Sequence, residues 1–365
     1  MRLFTSTIFI LITLTVLLSV GCGQKSSTNT IAGDSTNASA STGTDPMLKA
    51  DPQQKAVLDE LASLGGKPIE TLTAEEARMQ PSPADAVKSL LKKRGLSTEP
   101  EPVGKVDDRQ IAGPGGKIPV RIYWPKGKGP FPVLLYVHGG GFVIATNDTY
   151  DSSARALTNQ AGYIVVSPEY RKAPENKFPA AHDDVWATYE WILKNAASIQ
   201  GDPKRVAVGG ESAGGNMANE TAITARDKKI QMPIHQLLVY PVADNGMDTE
   251  SYRENAKAKP LSKAMMQWFF EKAATPDKGE DARLVPMNVK DLSNLPPATI
   301  ITAEIDPLRS EGQLYAERLK QAGVQVDLKN FTGVTHEFFG QGVVVDKARE
   351  AMAMAAANLR SAAGK

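Results

Sequence analysis

Short apolar runs rich in β-branched residues alternate with amphipathic segments from about residue 46 to the end of the chain. Such runs are typical of strands that are buried on both faces. They lie at 133–137, 164–167, 206–208, 237–240, 299–302 and 324–327. Amphipathic stretches between them, such as 183–195 and 312–322, predict helices. This alternation predicts an α/β fold, in which helices cover both faces of a mostly parallel central sheet.

Two segments interrupt the alternation. Residues 46 to about 100 are predicted to be mainly helical, and 246 to about 285 contain a predicted helix at 262–273. That helix carries a bulky set of side chains, namely Met265, Met266, Trp268, Phe269 and Phe270. One interpretation is a helix packed on the core. The other is a helical cap whose methionine and aromatic side chains line a binding pocket.

The N-terminus predicts export. Arg2 precedes an almost wholly apolar stretch, 3–20, which is typical of a secretory signal. The stretch leads to Cys22 in a sequence that resembles a bacterial lipobox, although Ser19 stands where leucine is usual. We therefore predict a lipoprotein-type signal peptide at 1–22 and lipidation of Cys22. An ordinary cleaved signal with an incidental cysteine and an uncleaved membrane anchor are the alternatives.

The next segment predicts a flexible linker. Residues 23–45 are rich in Ser, Thr, Asn, Gly and Ala and contain little to bury. The predicted folded domain then covers 46–365. This organisation predicts a membrane-anchored lipoprotein of a bacterial cell envelope, or otherwise a periplasmic or secreted protein.

Composition narrows the classes of function. The chain of 365 residues is 41% hydrophobic and 23% charged, so it can bury a full core. Its net charge is +1 and it has no long basic run, which argues against nucleic-acid binding. The four histidines lack the spacing of metal ligands, so we predict no metal site.

The segment Gly210-Glu211-Ser212-Ala213-Gly214 directly follows the predicted strand at 206–208. A strand that runs into Gly-x-Ser-x-Gly and then a helix predicts a nucleophile elbow, a tight turn that exposes the serine hydroxyl. Strand and helix approach so closely there that positions 210 and 214 have no room for a side chain. Ser212 is therefore the candidate nucleophile.

A serine nucleophile needs a base, and after this kind of turn the chain order is serine, acid, histidine. His336 follows the last predicted strand, where a loop can reach the serine, and is the candidate base. His235 begins a strand, at the wrong end of the sheet, and is interpreted as structural. Asp306 follows the strand before the last and is the preferred acid, with Asp244 as the alternative.

Three glycines follow the predicted strand at 133–137, in His-Gly-Gly-Gly-Phe at 138–142. Successive glycines let backbone N–H groups converge on a developing oxyanion without an obstructing Cβ. Together with the N–H of Ala213, this turn would supply the donors that acyl transfer requires. His138 is interpreted as a structural hydrogen-bonding residue.

These motifs occur in the order found in a known family. After His-Gly-Gly-Gly-Phe at 138–142 and before His336, the series of motifs consists of Tyr-Arg-Lys-Ala-Pro-Glu at 170–175, Phe-Pro-Ala-Ala at 178–181, Gly-Glu-Ser-Ala-Gly-Gly-Asn at 210–216, Leu-Pro-Pro-Ala at 295–298 and Asp-Pro-Leu-Arg at 306–309. Together they resemble the bacterial hormone-sensitive-lipase-like esterases, family IV of the lipolytic enzymes, over roughly residues 46–360. The resemblance implies an α/β-hydrolase fold with a helical cap from about 46–100 and 246–285.

The resemblance also implies roles for individual residues. The implied catalytic triad is Ser212, Asp306 and His336. The implied oxyanion hole is formed by the N–H groups of Gly140, Gly141 and Ala213, with Gly139 shaping the turn.

Three positions depart from the family pattern. Glu211 replaces the usual aspartate, Glu337 stands where glycine is common, and Ser310 stands where an acidic residue is common. None of these departures removes a catalytic group. Glu337, beside the candidate base, is placed to change the pKa of His336 or the shape of its loop.

The activity implied by the resemblance is that of a serine carboxylesterase, which hydrolyses short- to medium-chain esters through an acyl-enzyme without a cofactor or metal. Alternatives within the enzyme class are an acetyl-hydrolase, a lipase and an amidase. A catalytically silent surface protein with the same fold is a further alternative, which the intact catalytic set argues against. The same resemblance is compatible with a homodimer formed through edge strands or a helix pair.

Overall fold

An eight-stranded sheet forms the centre of the computed structural model, which describes residues 45–364. The strands are β1 (Lys105–Gly113), β2 (Gly116–Trp124), β3 (Phe131–Val137), β4 (Ile164–Pro168), β5 (Gly201–Glu211), β6 (Gln236–Val239), β7 (Ala298–Ile305) and β8 (Val326–Thr335). Their order across the sheet is β1-β2-β4-β3-β5-β6-β7-β8. β1 and β2 pair antiparallel, as do β2 and β4, and the other pairs are parallel. The predicted fold class is therefore confirmed.

Ten α-helices accompany the sheet in the described part of the chain. They are α1 (Pro52–Ser63), α2 (Ala74–Arg78), α3 (Pro83–Lys93), α4 (Asp151–Ala161), α5 (Ala180–Asn195), α6 (Ala213–Asp227), α7 (Glu250–Glu254), α8 (Lys263–Ala273), α9 (Arg309–Gln321) and α10 (Asp346–Ala362). Short 3-10 helices occur at Pro46–Lys49, Ile69–Thr71, Ala196–Ile199, Pro286–Asn288 and Phe339–Gln341. None of the helices within 45–364 is long and apolar enough to cross a membrane.

The sheet separates two hydrophobic cores. Val133, Leu135 and Val137 of β3 belong to one core, and Leu134 and Tyr136 to the other. Successive side chains of a strand point to opposite faces, so a central strand covered by helices on both sides must be apolar throughout. This burial explains why β3 reads as a continuous apolar run in the sequence.

The two outer regions of the sheet differ from the sequence-based expectation. β8 was predicted at 324–327, but it begins at Val326 and continues to Thr335. The strands β1 and β2, which form an antiparallel hairpin, are absent from the sequence-based prediction. β1 and β8 are edge strands with many exposed positions, so polar residues interrupt their apolar pattern.

Both segments that interrupt the strand–helix alternation are helical. The first contains α1, α2 and α3, and the second contains α7 and α8. Ser262 caps α8 by accepting a hydrogen bond from the Met265 N–H at 3.1 Å. The indole Nε1 of Trp268 on α8 donates to the Leu72 carbonyl at 3.2 Å, which joins the two segments.

The predicted signal peptide and Cys22 lie outside the described residues, as does the predicted linker apart from Asp45.

Candidate active site

Each group of the candidate site follows a strand immediately. His138 and the glycine turn follow β3, Ser212 follows β5, Asp306 follows β7, and His336 follows β8. These four strands run parallel, so their carboxyl ends meet at one edge of the sheet. That edge is where ligands bind in open α/β sheets.

Ser212 occupies the tight turn that the sequence predicts. Its backbone has φ 57° and ψ −119°, outside the regions that L-residues favour. A Cβ at position 210 would collide with the backbone of Gly214, and a Cβ at position 214 with the carbonyl of Val137. The Ser212 N–H donates to the Val239 carbonyl at 2.9 Å, which fixes the turn to β6. The strained backbone is therefore held on both sides by the sheet and by α6.

Asp306 and His336 form a buried hydrogen-bonded pair. Nδ1 of His336 lies 2.7 Å from Oδ2 of Asp306. The other carboxylate oxygen accepts the Leu308 N–H at 2.9 Å, so the Asp306 side chain is fixed at both oxygens. Asp306 is fully buried, while Ser212 and His336 are 4% and 3% exposed and line the same cavity. With Nδ1 directed to the carboxylate, Nε2 is the imidazole nitrogen left for the serine.

The two rival residues lie elsewhere. Nε2 of His235 lies 2.8 Å from the Thr299 hydroxyl, and Asp244 accepts the backbone N–H groups of Asn245 and Gly246. Neither residue lines the cavity that contains Ser212. His235 is therefore a structural histidine, and the geometry favours Asp306 as the acid.

The glycine turn presents free N–H groups to the cavity. Gly140 and Gly141 have φ values of 98° and 57° and line the cavity beside Ser212. Within the described chain their N–H groups donate to no other group, and the Gly140 carbonyl is occupied by the Val143 and Ile144 N–H groups. Ala213 is the first residue of α6, where backbone N–H groups have no partner within the helix. These donors suit a developing negative charge.

Gly141→Ala is expected to lower kcat about 100-fold or more and to cost about 1–3 kcal/mol of stability. A Cβ there would overlap the ring of Phe269 on a backbone that L-residues rarely adopt. Gly162→Ala is the control, because Gly162 also has a positive φ but open space around it. Gly162→Ala should lower the stability of the protein but leave kcat unchanged. Ester-hydrolysis rates and thermal unfolding of both variants test this, and equal losses of activity would contradict it.

A buried carboxylate lies directly behind the nucleophile. Glu211 accepts hydrogen bonds from the hydroxyls of Tyr136 and Tyr240. Burial raises the pKa of Glu211 to about 7, although the two tyrosine hydrogen bonds act to lower it. The Tyr240 ring also contacts the imidazole of His336, with ring centroids 4.4 Å apart. Tyr240 thus links Glu211, the residue before the candidate nucleophile, to the candidate base His336.

Glu337 directly follows the candidate base His336 and lines the cavity. Its φ is 67°, the left-handed region that glycine adopts freely, which explains why glycine suits this position. Oε1 of Glu337 accepts the Tyr150 hydroxyl at 2.6 Å, and the side chain lines the cavity with Ser212 and His336.

The pKa of His336 is raised above its ordinary value of 6.5. Burial acts to lower the pKa, but the charge and hydrogen bond of Asp306 and the charges of Glu337 and Glu211 together outweigh it. A base must be neutral to accept a proton, so a raised pKa moves the loss of activity at low pH to higher pH.

The acid limb of kcat/KM is therefore expected to have its midpoint above about 6.5. Glu337→Gln removes one of the charges that raise this pKa, so the midpoint should move to lower pH. Rates of ester hydrolysis measured from pH 5 to 9 on both proteins test this. A flat profile through the histidine range, or a shift to higher pH in the variant, would contradict the assignment of His336.

The cavity above these residues has a volume of about 390 Å³. Its apolar lining comes from both helical segments and includes Leu58, Leu61, Ile69, Leu261, Met265 and Phe269. Met266 and Trp268 are instead buried in the core, so α8 both packs on the core and lines the cavity. Among residues 45–364 no three histidine, cysteine, aspartate or glutamate side chains are grouped so that they could hold a metal ion.

Sequence reasoning missed the tyrosines of the site. Tyr136 lies within β3, Tyr150 precedes α4 and Tyr240 follows β6, and each is buried. Their sequence context resembles that of ordinary core tyrosines. The acidic departures at 211 and 337 were the available signal, because a buried carboxylate needs hydrogen-bond donors.

Comparison with known proteins identifies the family of this chain. A family model described as the alpha/beta hydrolase fold matches residues 134–340, more than half of the chain. Carboxylesterase NlhH of Mycobacterium tuberculosis is 42% identical over 278 residues, covering 74% of this chain and 87% of its own. Ethyl acetate hydrolase of Pseudomonas putida is 34% identical over 292 residues, covering 79% and 90%.

A solved structure extends the similarity to three dimensions. The hyperthermophilic esterase of the archaeon Pyrobaculum calidifontis aligns with a TM-score of 0.78 at 37% identity, covering 86% of this chain and 99% of its own. The chain belongs to the α/β-hydrolase family, among its hormone-sensitive-lipase-like members, and is a carboxylic ester hydrolase.

Proposed function

We propose that this protein hydrolyses short- to medium-chain carboxylic esters through an acyl-enzyme on Ser212. The observation that carries the proposal is the 2.7 Å hydrogen bond between Asp306 and His336, because His336 lines the same cavity as Ser212. An imidazole held in this way has its remaining nitrogen available as a base.

In each half of the proposed reaction, His336 first acts as a base and then as an acid. His336 accepts the Ser212 proton as Oγ attacks the ester carbonyl, and the N–H groups of Gly140, Gly141 and Ala213 bind the oxyanion. The tetrahedral intermediate collapses, and the imidazolium gives its proton to the leaving alcohol. Water, deprotonated by His336, then attacks the acyl-enzyme. As the second tetrahedral intermediate collapses, the imidazolium returns the proton to Oγ of Ser212 and the acid is released. Asp306 stabilises the imidazolium in both halves.

The cavity supports a limited chain length. Its 390 Å³ lies at the small end of the range for ligand pockets, which favours short and medium acyl groups over long ones. The name of the Pseudomonas putida relative, ethyl acetate hydrolase, points the same way. A long-chain lipase is the alternative.

Hydrolysis of p-nitrophenyl esters from acetate to palmitate by the purified protein tests the proposal. We expect the highest kcat/KM between acetate and octanoate, with a steep fall for longer chains. A maximum at palmitate would favour a lipase. Absence of hydrolysis by folded protein at every length would contradict the proposed function.

We further propose that the protein is exported and attached to the bacterial cell envelope through a lipid on Cys22. The apolar stretch 3–20 and the lipobox-like sequence support this. Two or more acyl chains on one residue would hold the protein stably at a membrane. Mass spectrometry of the mature N-terminus should find acylated Cys22, and a Cys22→Ser variant should leave the membrane fraction. An unmodified Cys22 in a soluble product would contradict this.

A further inference from the structure

We propose that Glu337 selects esters whose alcohol part carries a positive charge, such as a quaternary ammonium group. The inference rests on the proposed ester hydrolysis and specifies its substrate class.

The position of Glu337 in the cavity is the first support. Glu337 follows His336 in the chain, and both line the cavity together with Ser212. Its left-handed backbone, with φ 67°, is costly for a residue other than glycine. A carboxylate therefore stands inside the catalytic cavity at a position where the backbone favours a residue without a side chain.

The carboxylate is oriented but not neutralised. Tyr150 donates its hydroxyl to Oε1 at 2.6 Å. The Tyr150 hydroxyl in turn lies against Gly139, so closely that a Cβ at position 139 would collide with it. Within residues 45–364, Glu337 forms no salt bridge and no second side-chain hydrogen bond. One carboxylate oxygen thus remains available to a ligand.

The other charged residues of the cavity are placed differently. Arg78 is bound by Glu175 through two hydrogen bonds, and Lys67 and Lys259 are exposed to solvent. Glu70, the remaining carboxylate of the lining, is also half-buried and lies on the 3-10 helix Ile69–Thr71. Charges in water are strongly screened, whereas a partly buried carboxylate attracts a cation more strongly.

The chemistry of the base indicates which part of the ester meets this carboxylate. His336 must approach the leaving oxygen to protonate it. Glu337, the next residue in the chain, is therefore placed near the alcohol part of the ester. A trimethylammonium group combines a positive charge with an apolar surface, which suits a carboxylate among the leucines and Met265 of the cavity. The same carboxylate would disfavour an alcohol part that carries a negative charge.

A matched pair of substrates tests the selection. Butyrylcholine and 3,3-dimethylbutyl butyrate have nearly the same shape and differ in charge. Their kcat/KM values are measured at pH 8.5 for the parent protein, for Glu337→Gln and for Glu271→Gln. The ratio of the two values cancels any change in the pKa of His336. Glu271 is an exposed carboxylate on α8 outside the cavity, so its variant is the control.

We expect the parent protein to prefer the choline ester. Glu337→Gln should lower the ratio about tenfold, because a change in the catalytic step affects both esters whereas the lost charge affects only the cationic one. Glu271→Gln should leave the ratio unchanged. Glu337→Gly, which suits the left-handed backbone, should lower the ratio equally and replaces the glutamine variant if that variant does not fold. Tetramethylammonium should also inhibit p-nitrophenyl butyrate hydrolysis less in either Glu337 variant.

An equal rate for the two esters in the parent protein would overturn the proposal, as would a ratio that Glu337→Gln leaves unchanged. Both of those results leave hydrolysis of the neutral ester, and therefore the proposed function, intact. Absence of hydrolysis of the neutral ester and of p-nitrophenyl butyrate would instead overturn the proposed function, and the selection with it.

Discussion

Replacement of Ser212 by alanine is expected to reduce kcat for p-nitrophenyl butyrate by about 10⁴-fold or more. In the proposed reaction Oγ of Ser212 forms the acyl-enzyme, so its removal leaves no atom to carry the acyl group. Binding should change little, because the variant keeps the cavity and the glycine turn. The expected result is therefore a loss in kcat with KM and thermal stability nearly unchanged.

A matched serine provides the control for this prediction. Ser198 is an exposed residue of the 3-10 helix Ala196–Ile199, and within residues 45–364 its hydroxyl bonds only the Asn195 carbonyl. Ser198→Ala should keep the parent rate within about twofold. If Ser212→Ala retained more than a few per cent of the activity after purification from contaminating esterases, another nucleophile would have to be sought.

Asp306→Asn is expected to reduce kcat by a similar amount, about 10⁴-fold. An asparagine of the same shape cannot stabilise the imidazolium, and it can present an N–H to the imidazole and so favour the wrong tautomer. The hydrogen bond from the Leu308 N–H to Oδ1 can persist, so the loop should keep its shape. Asp306→Asn should therefore fold, and its defect should appear in kcat.

Asp244→Asn distinguishes the two acids that the sequence left open. Among residues 45–364, Asp244 accepts only the N–H groups of the two residues that follow it. Its loss should leave kcat within about threefold of the parent value. A larger loss in Asp244→Asn than in Asp306→Asn would show that the acid has been assigned to the wrong loop.

The central strands and the catalytic loops could be predicted because their constraints are local. β3 and β7 are buried at nearly every position, so apolar residues predominate in both strands. The turn at Ser212 needs glycine at 210 and 214 for steric reasons that appear in the sequence itself. Asp306 and His336 follow strands directly, and parallel strands bring such positions to one edge.

The remaining features depend on contacts between distant parts of the chain. β1 has a single buried residue, Ile111, so its sequence carries little of the pattern of a strand. The hydrogen bonds of Glu211 join residues from β3, β5 and the loop after β6. Nothing near Tyr136 or Tyr240 in the sequence marks them as partners of this carboxylate. Such networks are satisfied only in the folded protein, where burial makes an unpaired carboxylate costly.

Covalent trapping of the nucleophile identifies directly which residue attacks the ester. Diethyl p-nitrophenyl phosphate reacts with an activated serine and leaves a stable phosphoryl group on it. We expect inactivation to be complete when one diethylphosphoryl group per protein is bound, and mass spectrometry of the digest to find that group on Ser212. Complete inactivation with the group on another residue, or full activity with Ser212 modified, would show that Ser212 is not the nucleophile.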